Sequence, residues 1–88
     1  MKQTNMIKSL NKQFPGINAV SAEEFDGRTG GIWFRNSEGY EIGGLPIMNP
    51  YTDSYLYKHG THRDLENWLA DRDWHSEPYD NGTLMAYK

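Results

Sequence analysis

The sequence predicts an α+β domain: a small antiparallel sheet of four to five strands in two hairpins, with two short α-helices packed on it. Three observations carry that expectation. Thr4–Phe14 and the run opening at Thr61 repeat apolar residues at helical spacing. Asn36–Gly39 and Asn81-Gly82 each place turn-forming residues between two β-prone runs. Short antiparallel strands among helices of about ten residues imply helices laid on one sheet face. The expected order is α-β-β-β-α-β-β, and 88 residues leave room for one domain, spanning 1–88.

The first helix gathers Ile7, Leu10 and Phe14 into a stripe flanked by Met6, with Lys8, Asn11 and Lys12 away from it. Thr4 or Asn5 supplies its cap, and Pro15-Gly16 ends it. Ile17–Ala22 is expected as a strand. Glu23–Gly31 is glycine-rich, but a phosphate cradle needs a helix N-terminus behind it. This segment carries acids and runs into Ile32-Trp33-Phe34, so a plain loop is expected. Ile32–Arg35 and Tyr40–Ile42 then form a hairpin across Asn36–Gly39. Its core side takes Ile32, Phe34, Tyr40 and Ile42, leaving Trp33 to point outward with Arg35 and to need a covering element or a partner.

Gly43–Gly60 is broken by Pro46 and Pro50 and carries Tyr51, Tyr55 and Tyr57. A loop this long in a small domain is often functional. Within it, Tyr55-Leu56-Tyr57 reads as a short strand with Leu56 inward and both tyrosines outward. Thr61 opens the clearest helix. Thr61-x-x-Asp64 matches a capping box with Asp for Glu, Leu65, Trp68 and Leu69 form the apolar stripe, and the helix ends near Asp71–Asp73. Trp74–Asp80 and Thr83–Tyr87 flank Asn81-Gly82, the strongest hairpin signal in the chain. A two-residue loop pairs Tyr79 with Leu84, whereas a three-residue loop with Gly82 as a bulge pairs Tyr79 with Thr83. That single step decides which side chains face the core.

Hydrophobic residues make up 36% of the chain and aromatic ones 14%. Each buried ring removes roughly 150–250 Å² from water, so a few rings can hold a thin core together. There is no cysteine, hence no disulfide and no thiolate metal site. The first ten residues are polar, and no stretch approaches the ~20 apolar residues that cross a bilayer. A cytoplasmic protein without membrane partners is expected. The formal net charge is −3, and from Leu45 onward seven acidic residues face four basic ones. Without a basic stripe to neutralise phosphates, direct nucleic-acid binding is not expected.

No residue pattern fixes a chemistry. His59 and His62 straddle a helix start, and His75 with Glu77 could complete a metal site, but ordinary surface roles explain all three histidines. Carboxylates for hydrolysis must converge, whereas Asp64, Glu66 and Asp71 are expected to point in different directions. None of the serines sits in a nucleophile elbow. The expectation is therefore no enzyme, no cofactor and no metal. What remains is the density of tyrosine and tryptophan with acids among them, a composition that suits binding hot spots. The candidate partner-binding residues are Tyr51, Tyr55, Tyr57, Trp33, Asp53, Glu77 and Asp80. Phe14, Phe34, Trp68 and Trp74 are expected in the core.

From Gly60 to Tyr87 the segments GTHRDLENWL, DW and YDNGTLMAY resemble small phage and prophage proteins. The chain as a whole, tiny, acidic, cysteine-free and aromatic-rich, resembles phage anti-defence proteins such as anti-CRISPRs. That resemblance implies an inhibitor acting in the host cytoplasm. It would bind a bacterial protein or ribonucleoprotein complex, with a homodimer left open. The alternative is a protein that sequesters a nucleotide or other small ligand, stacking it on Trp33 and the loop tyrosines, with Arg28, Arg35 or Arg63 at the phosphates. A small metal-dependent enzyme is the third reading.

Overall fold

In the computed structural model, which describes residues 2–26, 30–49 and 54–88, eleven elements follow one another. They are α1 (Gln3–Gln13), β1 (Ala19–Ser21), α2 (Glu23–Asp26), β2 (Ile32–Phe34), β3 (Glu41–Ile42), β4 (Leu45–Pro46), β5 (Tyr57–Lys58), β6 (Thr61–His62), α3 (Arg63–Ala70), β7 (His75–Asp80) and β8 (Thr83–Tyr87). The class is the expected α+β one. A four-stranded antiparallel sheet of order β1-β2-β8-β7 carries the core, while β3-β4 and β5-β6 pair as small ribbons. No helix among the described residues is long and apolar enough to cross a membrane.

Alternation along the strands sorts the sheet into two faces. Ala19, Ile32, Phe34, Leu84 and Ala86 share one face, where they meet Met6 and Leu10 of α1 and Leu65 and Leu69 of α3. The opposite face carries the cross-strand row Val20, Trp33, Met85 and Glu77. Met85 is fully buried there, outside the main core cluster. One turn of helix, α2, covers this second face through Phe25, whose ring lies 4.9 Å from both Trp33 and Tyr79. The Tyr87 ring lies so close to Gly31 that a Cβ there would sit 2.4 Å from it, which only glycine permits.

Several local expectations give way to tertiary ties. The hairpin of Ile32–Arg35 with Tyr40–Ile42 does not form. Strand β2 has two edges, one held by β1 and the other by β8, so β3 pairs with β4 instead. Buried Ser37 seals that choice, donating to the Phe34 carbonyl and accepting the Leu84 N–H at 3.0 Å. Glu23–Asp26 is a helical turn rather than loop. Helix α1 starts at Gln3, and neither Thr4 nor Asn5 caps it. Gln3 Nε2 donates instead to the Gly31 carbonyl at 2.7 Å and to Glu23 at 3.0 Å, a tertiary anchor in place of a cap.

Thr61 does not cap α3 either. It is buried in β6, and the cap is His62, whose Nδ1 accepts the Asp64 N–H at 3.0 Å. Past Ala70, Trp74 N–H bonds back to the Leu69 carbonyl and Asp73 N–H to that of Ala70, with Asp73 at φ 62°. This is a Schellman closure with aspartate in the left-handed position that glycine usually takes. At the C-terminal hairpin Asp80 pairs with Thr83 across a two-residue loop, but Pro78 pairs with Leu84. Tyr79 is thus the extra residue of a bulge, and neither register expected for it holds.

Candidate functional site

The C-terminal end of α1, the β3–β4 hairpin and one face of α3 enclose an open cleft of about 650 Å³. Its walls include three rings (Phe14, Tyr40 and Trp68) and three carboxylates (Glu41, Asp64 and Asp71), and among the described residues no basic side chain lines it. A second hollow of about 350 Å³ shares Ile42, Gly43, Asp64 and Asn67 with the first and extends it toward His62 and Arg63. Each wall has a local origin. Gly43 and Gly44, at φ 60° and 84°, form a two-residue primed turn that folds β3 back on β4. Pro15-Gly16 stops α1 with Phe14 half-buried against the core.

On α3, Asp64, Trp68 and Asp71 fall at i, i+4 and i+7 and so share a face. The expectation that the acids of this helix diverge holds only for Glu66, which turns to β7 and accepts the Ser76 N–H at 3.2 Å. Trp68, expected in the buried core, is only half-buried. Its ring stands edge-on to Phe14, 5.9 Å between centroids. The Arg72 guanidinium lies over it at 3.7 Å and donates to its carbonyl at 2.8 Å.

The charged side chains that line the cleft among the described residues are acidic, while Lys58 donates to its wall residue Asn67 at 2.7 Å and Arg72 covers the Trp68 ring. Among the described residues none of Glu41, Asp64 and Asp71 is ion-paired. Burial raises the Tyr40 phenol above its ordinary pKa. Burial, followed by the Glu41 charge, does the same to Tyr57. Asp64 sits in the first turn of α3, where a negative charge suits the helix dipole. Asp71 sits at the opposite end, where the same dipole opposes it, and among the described residues its side chain makes no hydrogen bond or ion pair.

The residues singled out from sequence do not converge. Tyr51 and Asp53 lie outside the described residues. Tyr55 is 77% exposed on the turn before β5, the most exposed large ring described. Tyr57 is not outward: it is half-buried, donates to the Pro46 carbonyl at 2.7 Å and stands edge-on to His62. Trp33 is half-buried between Phe25 and Arg35. Glu77 lies 3.7 Å from His75, and Asp80 accepts the Gly82 N–H at 2.9 Å, holding the turn. Trp33, Glu77 and Asp80 therefore belong to the second sheet face. The cleft residues were not among those candidates, although the spacing of Asp64, Trp68 and Asp71 was readable on the helix.

The histidines have separate surroundings. His59, at φ 54°, and Gly60, at φ 84°, form the two-residue turn joining β5 to β6. His62 caps α3, and His75 is exposed on β7. Among the described residues no three metal-type ligands come together.

Side chains take backbone groups on both outer edges of the sheet. Asn11 bonds both backbone groups of Ala19, at 2.8 and 2.9 Å, as a neighbouring strand would. On β7 the Ser76 N–H is taken by Glu66, and Pro78, two residues on, has none to offer. No protein-family model, curated protein or solved structure matches the chain.

Proposed function

We propose that the protein is a non-catalytic binding protein that seats a basic segment of a partner protein in the cleft between α1, the β3–β4 turn and α3. The observation that carries this reading is a set of three carboxylates around aromatic walls, none of them ion-paired, with no basic residue among the described residues that line the cleft. Such a surface complements a cationic, partly apolar segment, steering it in by charge and holding it by ring contact. Asp71 adds weight, because its position opposes the helix dipole and so is not explained by the stability of α3.

The resemblance of Gly60–Tyr87 to small phage proteins supplies the setting. In that reading the partner is a bacterial defence or nucleic-acid-processing complex, whose phosphate-binding surfaces are rich in lysine and arginine. The protein acts as an inhibitor by covering such a surface. A nucleotide fits less well: its phosphates would meet Glu41, Asp64 and Asp71, and Trp33 already packs against Phe25 and Arg35.

The test is a comparative pull-down from bacterial lysate with wild type and the Asp64→Asn/Asp71→Asn double variant, read by mass spectrometry. A partner with a basic surface should be retained by wild type, lost by the variant and released by salt. Equal recovery on both proteins, with both folded by circular dichroism, removes the cleft from the reading.

A further inference from the structure

Resting on that reading of the cleft, we infer that the partner's segment is basic at one end only and carries aliphatic side chains at the other, which sit in the second hollow. The two hollows share Ile42, Gly43, Asp64 and Asn67, so they form one continuous groove. Glu41 and Asp71 line only the first part, and Asp64 stands where the two meet. Leu45, Leu56 and Arg63 line only the second.

The groove therefore changes character along its length. In the second part Ile42, Leu45 and Leu56 supply aliphatic surface. Leu45 and Leu56 are half-buried and stand outside the main core cluster, so part of their surface still meets water and is there for a ligand to cover. Arg63 is exposed in this part, and among the described residues it makes no ion pair. Lys58, which donates to Asn67 at 2.7 Å, adds a second cation at the boundary. His62 also lines the second part, with its Nδ1 committed to the Asp64 N–H. A segment basic throughout would gain the carboxylates but set its remaining cations against Arg63 and Lys58. A segment whose basic residues give way to leucine-like side chains meets attraction at one end and buries apolar surface at the other. Arg63 is thus the repulsive element that a selective surface needs: it opposes a uniformly basic tract and leaves the mixed one unopposed.

The experiment measures fluorescence anisotropy with labelled peptides of equal length. All share a lysine–glycine half, and the other half alternates glycine with leucine, serine or lysine. Each is made in both chain directions, and the tighter direction is compared. Wild type should bind the leucine peptide about fivefold or more tightly than the serine one. That ratio should persist in high salt, because apolar burial is not screened as charge is. The all-lysine peptide should gain nothing over the serine one. Arg63→Glu should let the all-lysine peptide overtake the serine peptide, and Leu45→Ser/Leu56→Ser should abolish the leucine preference. Three results overturn the inference and leave the cleft reading standing: equal binding of the leucine and serine peptides, tightest binding of the all-lysine peptide by wild type, or no gain for that peptide on Arg63→Glu. If no peptide binds folded wild type at low salt, the cleft reading fails with it. Should the leucine double variant not fold, the wild-type ratios and Arg63→Glu decide alone.

Discussion

Asp64 and Asp71 look into the same cleft from opposite ends of α3, seven residues or about 10 Å apart along its axis. The helix dipole treats them oppositely, which separates stability from binding. Asp71→Lys should raise stability by up to about 1 kcal/mol, because a cation replaces an anion at the C-terminal end. In a domain of this size that is several degrees in melting temperature. The same change should weaken binding of a basic partner about fivefold or more. Asp64→Asn should lower both quantities. A stabilised Asp71→Lys protein that binds its partner as wild type does would remove Asp71 from the site.

Asp73 occupies a left-handed position, φ 62°, at the Schellman closure of α3. Aspartate tolerates that conformation better than most residues, but glycine enters it without steric opposition. Asp73→Gly should therefore stabilise the fold by about 0.5–1 kcal/mol, read as a higher denaturant midpoint with unchanged slope. A fall in stability would mean that the Asp73 side chain supports the closure in a way its geometry does not reveal.

How much was legible follows from where each signal lies in the chain. The stripes of α1 and α3 and the Asn81-Gly82 turn are local, and all three form where the sequence places them. The choice of neighbour for β2 is not local. Its second edge goes to β8, fifty-two residues onward by pairing Trp33 with Met85, while the nearer Tyr40–Ile42 is turned away. Gly43-Gly44 and His59-Gly60 are two-residue hairpin turns hidden by the shortness of their strands, two residues each, which leaves no alternation to read. The cleft was least legible because Phe14, Tyr40 and Trp68 come from three separate segments. Only its α3 wall had a spacing that sequence alone could show.

Glu66 links α3 to β7 by accepting the Ser76 N–H, and it also accepts from the Ser76 hydroxyl, which hydrogen-bonds to Thr61 as well, at 2.7 Å. Glu66→Ala leaves that N–H without its acceptor on a sheet edge, an arrangement that costs about 1–3 kcal/mol and invites pairing with another copy. Lower stability together with concentration-dependent association in sedimentation is expected. Glu66→Gln, which keeps an acceptor oxygen, should recover most of both. An alanine variant that stays monomeric at high concentration would show that Pro78 and the Tyr79 bulge guard the edge unaided.

Alkali tests the buried phenols. Tyr40 and Tyr57 are both raised above the ordinary value of 10.0, by burial and, for Tyr57, also by Glu41. Their protonated forms are favoured in the fold, so their contribution is complete below about pH 10, where unfolded tyrosine begins to ionise. It is lost as pH rises through the higher folded-state values. Ultraviolet absorbance should show Tyr40 and Tyr57 ionising above pH 10, together with the fall in helical circular dichroism. Ionisation of Tyr40 and Tyr57 at or below the ordinary value of 10.0 in the folded protein would contradict their burial.

Tyr55 and Tyr57 stand two residues apart yet belong to different parts of the molecule, and their substitution distinguishes surface from scaffold. Tyr55 is 77% exposed, so Tyr55→Ala should change stability by no more than about 0.5 kcal/mol. Tyr57 donates to the Pro46 carbonyl and stacks edge-on to His62, which ties β5 to β4 and to the cap of α3. Tyr57→Phe removes only the hydrogen bond and should cost about 0.5–1.5 kcal/mol. Tyr57→Ala removes the ring as well and should cost about 3 kcal/mol or more, much of the stability of a domain this small. Circular dichroism melts of the three variants check the order Tyr55→Ala, Tyr57→Phe, Tyr57→Ala. Partner binding then separates their roles. Tyr55→Ala should keep the fold and bind the basic segment as wild type does, because Tyr55 does not line the cleft. If Tyr55→Ala abolishes partner capture while the Asp64→Asn/Asp71→Asn variant retains it, the binding surface lies on the turn before β5, and the cleft on α3 is not the site.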